Sequence, residues 1–142
     1  MFSPDRAQLR AFYRSSFEAF QQGQPLEPLQ AMVAQVVVEH PEYHREIGRD
    51  ESEHKDFHVE AGQTNPFLHM GMHVALREQV AADRPSGIAM AFRSLCLKAG
   101  DAHAAEHMMM ECLGEAMWRA QANNAPPDEQ AFLACVRRLT QN

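Results

Sequence analysis

Eight histidines fall in this 142-residue chain, and all of them lie in pairs spaced by four: His40/His44, His54/His58, His69/His73 and His103/His107. Random placement would give about 0.4 such pairs. On an α-helix, residues i and i+4 sit about 6 Å apart on one face. Two imidazole nitrogens can then converge on one ion at about 2.0–2.1 Å. Carboxylates accompany the rings. Glu111 lies one turn beyond His107, Glu78 is five residues after His73, and Glu39 and Glu42 flank His40. Mixed imidazole and carboxylate ligands from several helices are how bundle proteins hold two iron or manganese ions.

Each pair also has a plainer reading. His69/His73 and His103/His107 are either ligands or hydrogen-bonded core histidines. His40/His44 straddle Pro41, so one ring can ligate while the other caps a helix C-terminus, where imidazolium is favoured. His54/His58 stand in a polar stretch and read as solvated or as support for a site elsewhere. The run Met108-Met109-Met110 faces three directions and reads as core filling.

The elements that must position these rings are helical. Ser3-Pro4 reads as a cap with proline at the first helical position, followed by Leu9, Phe12, Phe17 and Phe20 at helical spacing up to Gly23. A second helix, from about Leu26, carries Leu29, Met32, Val33, Val36 and Val37. Pro41 interrupts the backbone, and PEYHREI forms a short turn. Residues 49–64 read as a surface excursion or lid. Asn65-Pro66 starts a helix whose stripe is His69, His73, Leu76 and Val80. Pro85 separates it from the next helix, which Gly100 closes. Asp101 caps the segment DAHAAEHMMMECLGE, in which His103 and His107 share a stripe with Met110, Gly114 and Met117. Pro126-Pro127 stop that helix, and Phe132, Val136 and Leu139 line the last one. The expected fold is all-α: one domain over 1–142, a bundle of four longer helices plus short ones.

Composition bounds the function. Hydrophobic residues make up 45% and charged residues 23% of the chain, as in an ordinary globular protein. No apolar run approaches the roughly 20 residues of a membrane span, and MFSPDRAQLRAFYRSSF, without a short apolar core behind a basic start, is not expected to act as a secretory signal. A cytoplasmic protein with no membrane partner is expected. The net charge is −6 without a Lys/Arg run, which argues against nucleic acid. Cys96, Cys112 and Cys135 are an odd number, expected as buried reduced thiols. Cys112 follows Glu111 at about 100° around the helix, so the two do not form a nucleophile pair. A haem is the lesser metal option, since no C-x-x-C-H attachment motif is present.

The stretches HPEYH (40–44), NPFLHMGMHVALREQ (65–79), RPSGI (84–88) and AEHMMMECLGEAMW (105–118) resemble a family of small bacterial proteins catalogued as a domain of unknown function. That resemblance implies a compact helical protein and carries no activity. The ligand spacings are also similar to those of hemerythrin-type di-iron bundles, H-x3-E, H-x3-H and H-x4-D/E. His107/Glu111, His69/His73 and His73/Glu78 reproduce them in a different order. HAAEH (103–107) resembles the H-x-x-E-H pattern of inverted zinc peptidases. There His103 and His107 would bind zinc and Glu106 would act as general base. Only 35 residues follow His107, so a third ligand would come from His44, His69 or His73.

The leading expectation is a metal-binding bundle with a two-iron (or manganese) site drawn from His44, His69, His73, His103, His107 and Glu111, with Glu78, Glu39 and His40 in reserve. The site would lie between the helices at 66–82 and 102–122, completed from HPEYH. Oxygen, peroxide or another small molecule would bind at an open position. The alternatives are a mononuclear zinc hydrolase using Glu106 and a metal-free adaptor that binds another protein. The aromatic first helix covers either the core or a second subunit, which leaves a homo-oligomer open.

Overall fold

The structure is a computed structural model that describes residues 6–48 and 65–141. The regular structure among these residues is entirely helical: α1 Arg6–Gln21, α2 Pro28–Val38, a 3-10 turn Pro41–Tyr43, α3 His44–Ile47, α4 Pro66–Ala82, α5 Ile88–Ala99, α6 Ala102–Ala122 and α7 Glu129–Leu139. The chain forms two compact units, Met1–Val74 and Ala75–Asn142. The all-α expectation holds among the described residues. The Ser3-Pro4 start, the 49–64 excursion and His54/His58 lie outside the described residues.

In the first unit α1 packs along α2. Gly23, at φ +70°, turns the chain after α1 in a conformation that favours glycine. Glu27 N–H donates to Gln30 Oε1 at 2.8 Å at the start of α2, satisfying one end of the helix entry. Tyr13, Val33, Val36, Val37, Ile47, Met70 and Val74 form the core, with Phe12, Phe17, Met32, Tyr43 and Phe67 packed against it. The buried positions of α1 are Arg10, Tyr13 and Ser16. Leu9 and Phe20, expected on its core stripe, are exposed, as is Leu29 of α2. Leu9 and Phe20 share the face of Tyr13 and Ser16 at i, i+4 spacing but stand toward the two ends of α1, so the exposure follows position along the helix and not phase. Arg10 is buried with its guanidinium 4.8 Å from the Phe67 ring centroid, a cation–π arrangement.

Asn65 starts α4 as its side chain predicts. Its Oδ1 accepts from the N–H groups of Phe67 and Leu68 at 3.0 and 3.1 Å. In the second unit Asp83 Oδ1 accepts from Gly87 and Ala89 N–H. Asp101 and Asp128 cap α6 and α7 by accepting from Ala104 and Ala131 N–H. Gly100, at φ +102°, ends α5. The core here is Leu76, Ile88, Leu95, Ala105, Met109, Cys112, Leu113, Phe132, Leu133 and Val136. On α6 the inward stripe therefore runs 105, 109, 112, 113 rather than through Met110, Gly114 and Met117. Met117 and Trp118 are 44% and 69% exposed.

Two of the three cysteines differ from expectation. Cys112 of α6 and Cys135 of α7 form a disulfide, their Cα atoms 5.8 Å apart, inside the range of about 4.4–6.8 Å that a bridge requires. Each lies among inward-facing residues of its own helix, and packing of α6 on α7 brings them opposite. That register is a property of the helix pair and leaves no trace in the spacing of the cysteines. Cys96 is a free thiol.

Candidate metal centre

Pro41 shapes the first unit's histidine cluster. It ends α2 and opens the 3-10 turn, which carries the chain from His40 to His44. His40 is then buried, 1% exposed, and its Nδ1 lies 2.8 Å from the carbonyl of Val36. A carbonyl only accepts, so Nδ1 carries the proton and Nε2 presents a lone pair. This is the tautomer that a metal-ligating imidazole adopts when a backbone carbonyl orients it. His73 of α4 is 0% exposed. The His40 and His73 ring centroids are 4.7 Å apart, and each ring offers a nitrogen within 4.8 Å of the other's. Two nitrogens on a tetrahedral ion at about 2.0–2.1 Å are themselves about 3.3 Å apart.

His69, half-buried one turn before His73, brings its ring to 5.1 Å from His40 and 5.0 Å from His73. Tyr43 stacks on His40 at 5.7 Å. Burial raises the Tyr43 phenol above its usual value and the Glu42 carboxylate adds to this, so the hydroxyl stays protonated beside the imidazoles. His44 is placed differently. Its Nε2 donates to the carbonyl of Val37 at 2.7 Å, and its ring packs on Phe17 at 4.6 Å. It satisfies a carbonyl at the end of α2, the helix-capping half of the alternative that Pro41 left open. The pair thus divides: His40 joins the cluster and His44 caps. Glu39, half-buried, accepts from the Gln35 amide at 3.1 Å.

In the second unit His103 and His107 lie one turn apart on α6, their centroids 4.4 Å apart and nearly perpendicular. Each offers a nitrogen within 4.8 Å of the other's. His103 is half-buried and His107 exposed, so this pair sits beside the core stripe of α6 and not on it. Glu111 and Glu78 are exposed. Among the described residues, the groups of side chains close enough to share an ion contain imidazoles and no carboxylate.

Glu106 is 3% exposed and points into the core side of α6. Both its oxygens accept from one guanidinium: Arg77 Nε at 2.9 Å and Arg77 Nη2 at 3.1 Å. This fork is the strongest geometry available to an Arg–carboxylate pair. The sequence reading of HAAEH had no means of finding Arg77, which is 29 residues away.

No curated protein and no solved structure matches the chain. A family model described as "Domain of unknown function (DUF1841)" matches residues 5–138. With that match covering nearly its whole length, the chain belongs to the DUF1841 family.

Proposed function

We propose that this protein binds a first-row transition metal through imidazoles, and that the ion handles oxygen, peroxide or another small molecule at an open position. The observation that carries the proposal is His40. It is a fully buried imidazole, its Nδ1 held by a backbone carbonyl, with its ring 4.7 Å from that of a second fully buried imidazole, an arrangement suited to two nitrogens converging on one ion. His40 and His73 form the nucleus, with His69 beside them. His103 and His107 are a second i, i+4 pair able to chelate. Imidazole ligands suit iron, zinc, copper and nickel. When bound, such an ion supplies Lewis acidity or redox chemistry at its vacant position. The residues of the chain orient the nitrogens, fix the His40 tautomer and keep the Tyr43 hydroxyl protonated nearby.

The geometry favours the nitrogen ligands over the carboxylates. A two-iron site of the carboxylate-rich kind would have to recruit Glu78 or Glu111 from solvent. Glu106, the general base of a zinc-hydrolase reading, has both oxygens engaged by Arg77.

The test is elemental analysis of anaerobically purified, untagged protein, as metal per chain, for the wild type and for His40→Ala, His73→Ala and His103→Ala. Iron or zinc near stoichiometry is expected. Tenfold or greater loss of affinity is expected for His40→Ala and His73→Ala, with far-UV circular dichroism confirming the fold. Added metal at about 100 times Kd should stabilise the apo chain by about 2.7 kcal/mol. A chain that retains no metal, takes none up and shows no melting shift with iron or zinc refutes the proposal and favours the adaptor reading.

A further inference from the structure

A groove of about 630 Å³ in the second unit takes no part in the metal reading. It is lined by α6, α7 and their connection, with Cys112, Arg119, Phe132, Cys135 and Arg138 in its walls. The disulfide is thus part of a concave surface. Its two halves are unequally accessible: Cys112 is 2% exposed, whereas Cys135 is half-buried. Thiol–disulfide exchange requires a thiolate to reach one sulfur while the other leaves. The greater exposure of the Cys135 residue makes its sulfur the one offered to an incoming thiolate, with Cys112 as the leaving group.

The charges nearby also discriminate. Arg138 lies three residues beyond Cys135 and therefore on the same side of α7. Arg119 lines the groove from α6, with Glu115 at 2.7 Å. The Asp128 carboxylate, also in the wall, accepts from Ala131 N–H as the cap of α7. Guanidinium groups so placed suit a carboxylate on the incoming molecule.

We propose that this groove is a thiol–disulfide exchange site for a low-molecular-weight thiol that carries a carboxylate. The thiolate RS⁻ attacks Cys135 Sγ. An RS–S bond forms, the Cys112–Cys135 bond breaks, and the Cys112 sulfur leaves as a thiolate that is protonated from water. A second RS⁻ attacks the sulfur of the bound R group, releasing RSSR and the Cys135 thiolate. The chain gains two electrons and two thiol molecules are oxidised to one disulfide. The reverse sequence, started by RSSR, restores the bridge.

The experiment uses the full chain carrying Cys96→Ser, so that the third thiol does not interfere. Glutathione is the probe and cysteamine, which lacks a carboxylate, is the control. With Cys112→Ser added, oxidised glutathione should form a mixed disulfide at Cys135. This should proceed at least about tenfold faster than at Cys112 in the Cys135→Ser protein, as follows from unequal access. Peptide mapping locates the adduct and circular dichroism confirms the fold of each variant. Arg138→Gln should slow exchange with glutathione and leave cysteamine unaffected. Equal rates at the two cysteines would overturn the site, as would reduction of the native bridge only at the rate of global unfolding. Equal slowing of both thiols by Arg138→Gln would overturn the carboxylate assignment.

Discussion

Replacing Arg77 by methionine should destabilise the protein more than replacing Glu106 by glutamine, although both changes break the same ion pair. The side chains differ in exposure, 18% for Arg77 against 4% for Glu106. Arg77→Met leaves a nearly inaccessible carboxylate without its guanidinium. Breaking a buried pair in this way costs about 3–5 kcal/mol. Glu106→Gln keeps one oxygen acceptor in place, and the partly exposed guanidinium can recruit water, so about 1–3 kcal/mol is expected. At about 4 °C per kcal/mol for a chain of this size, Arg77→Met should lower Tm by on the order of 12–20 °C. The double variant Arg77→Met/Glu106→Leu removes both charges together and should recover much of that loss. The single variant Glu106→Leu completes a cycle with the wild type, Arg77→Met and the double variant; urea unfolding followed by far-UV circular dichroism gives their four free energies, and the non-additivity measures the coupling. A cost below about 1 kcal/mol for Arg77→Met would place the pair with ordinary surface ion pairs and refute the reasoning. So would a larger cost for Glu106→Gln. A further variant, Glu106→Ala, separates the ion pair from a hydrolytic role. If Glu106 serves only as a general base, Glu106→Ala removes activity and leaves the stability unchanged.

Burial raises the Cys96 thiol above its usual value, and the Glu106 and Asp101 carboxylates raise it further. The native chain therefore holds this proton to higher pH than the unfolded chain. The associated stability is complete below the unfolded thiol's value and is lost as pH rises through the folded one. The midpoint of the iodoacetamide rate–pH profile should lie above that of the urea-unfolded chain; a midpoint at or below it would contradict the assignment. Asp101→Ala removes the acceptor held 2.7 Å from Ala104 N–H and should cost about 1 kcal/mol in urea unfolding. The same substitution should lower the Cys96 midpoint, because it deletes one of the charges that raises it.

The helical class and most helix ends were legible because local chemistry determines them. Asn65, Asp101, Gly100 and the proline at 41 act within a few residues of themselves, and each acts as its type predicts. The pairing of His69 with His73 and of His103 with His107 was legible for the same reason, since helical repeat alone makes i and i+4 neighbours. The features that depend on a second helix were less accessible. Leu9 and Phe20 share the helical face of Tyr13 and Ser16, yet how far along α1 burial extends is set by its fit to α2. Periodicity could not distinguish Met110 from Met109 on α6, where every position from 108 to 110 is methionine. The division of His40 from His44 depended on the path that the chain takes after Pro41. Arg77 and the Cys112–Cys135 bridge have no local signature, because each partner is fixed by packing between separate helices.

Trp118 is the chain's single tryptophan, and it stands largely in water in the folded state. Its indole already experiences the polar surroundings that an unfolded chain would give it. Emission from this residue should therefore change little in wavelength when the core opens. The same placement makes it a sensitive reporter of anything that covers that side of α6, since a bound partner would replace water around the ring with protein. A blue shift on mixing with another molecule would thus signal association, while the fold itself could remain unchanged.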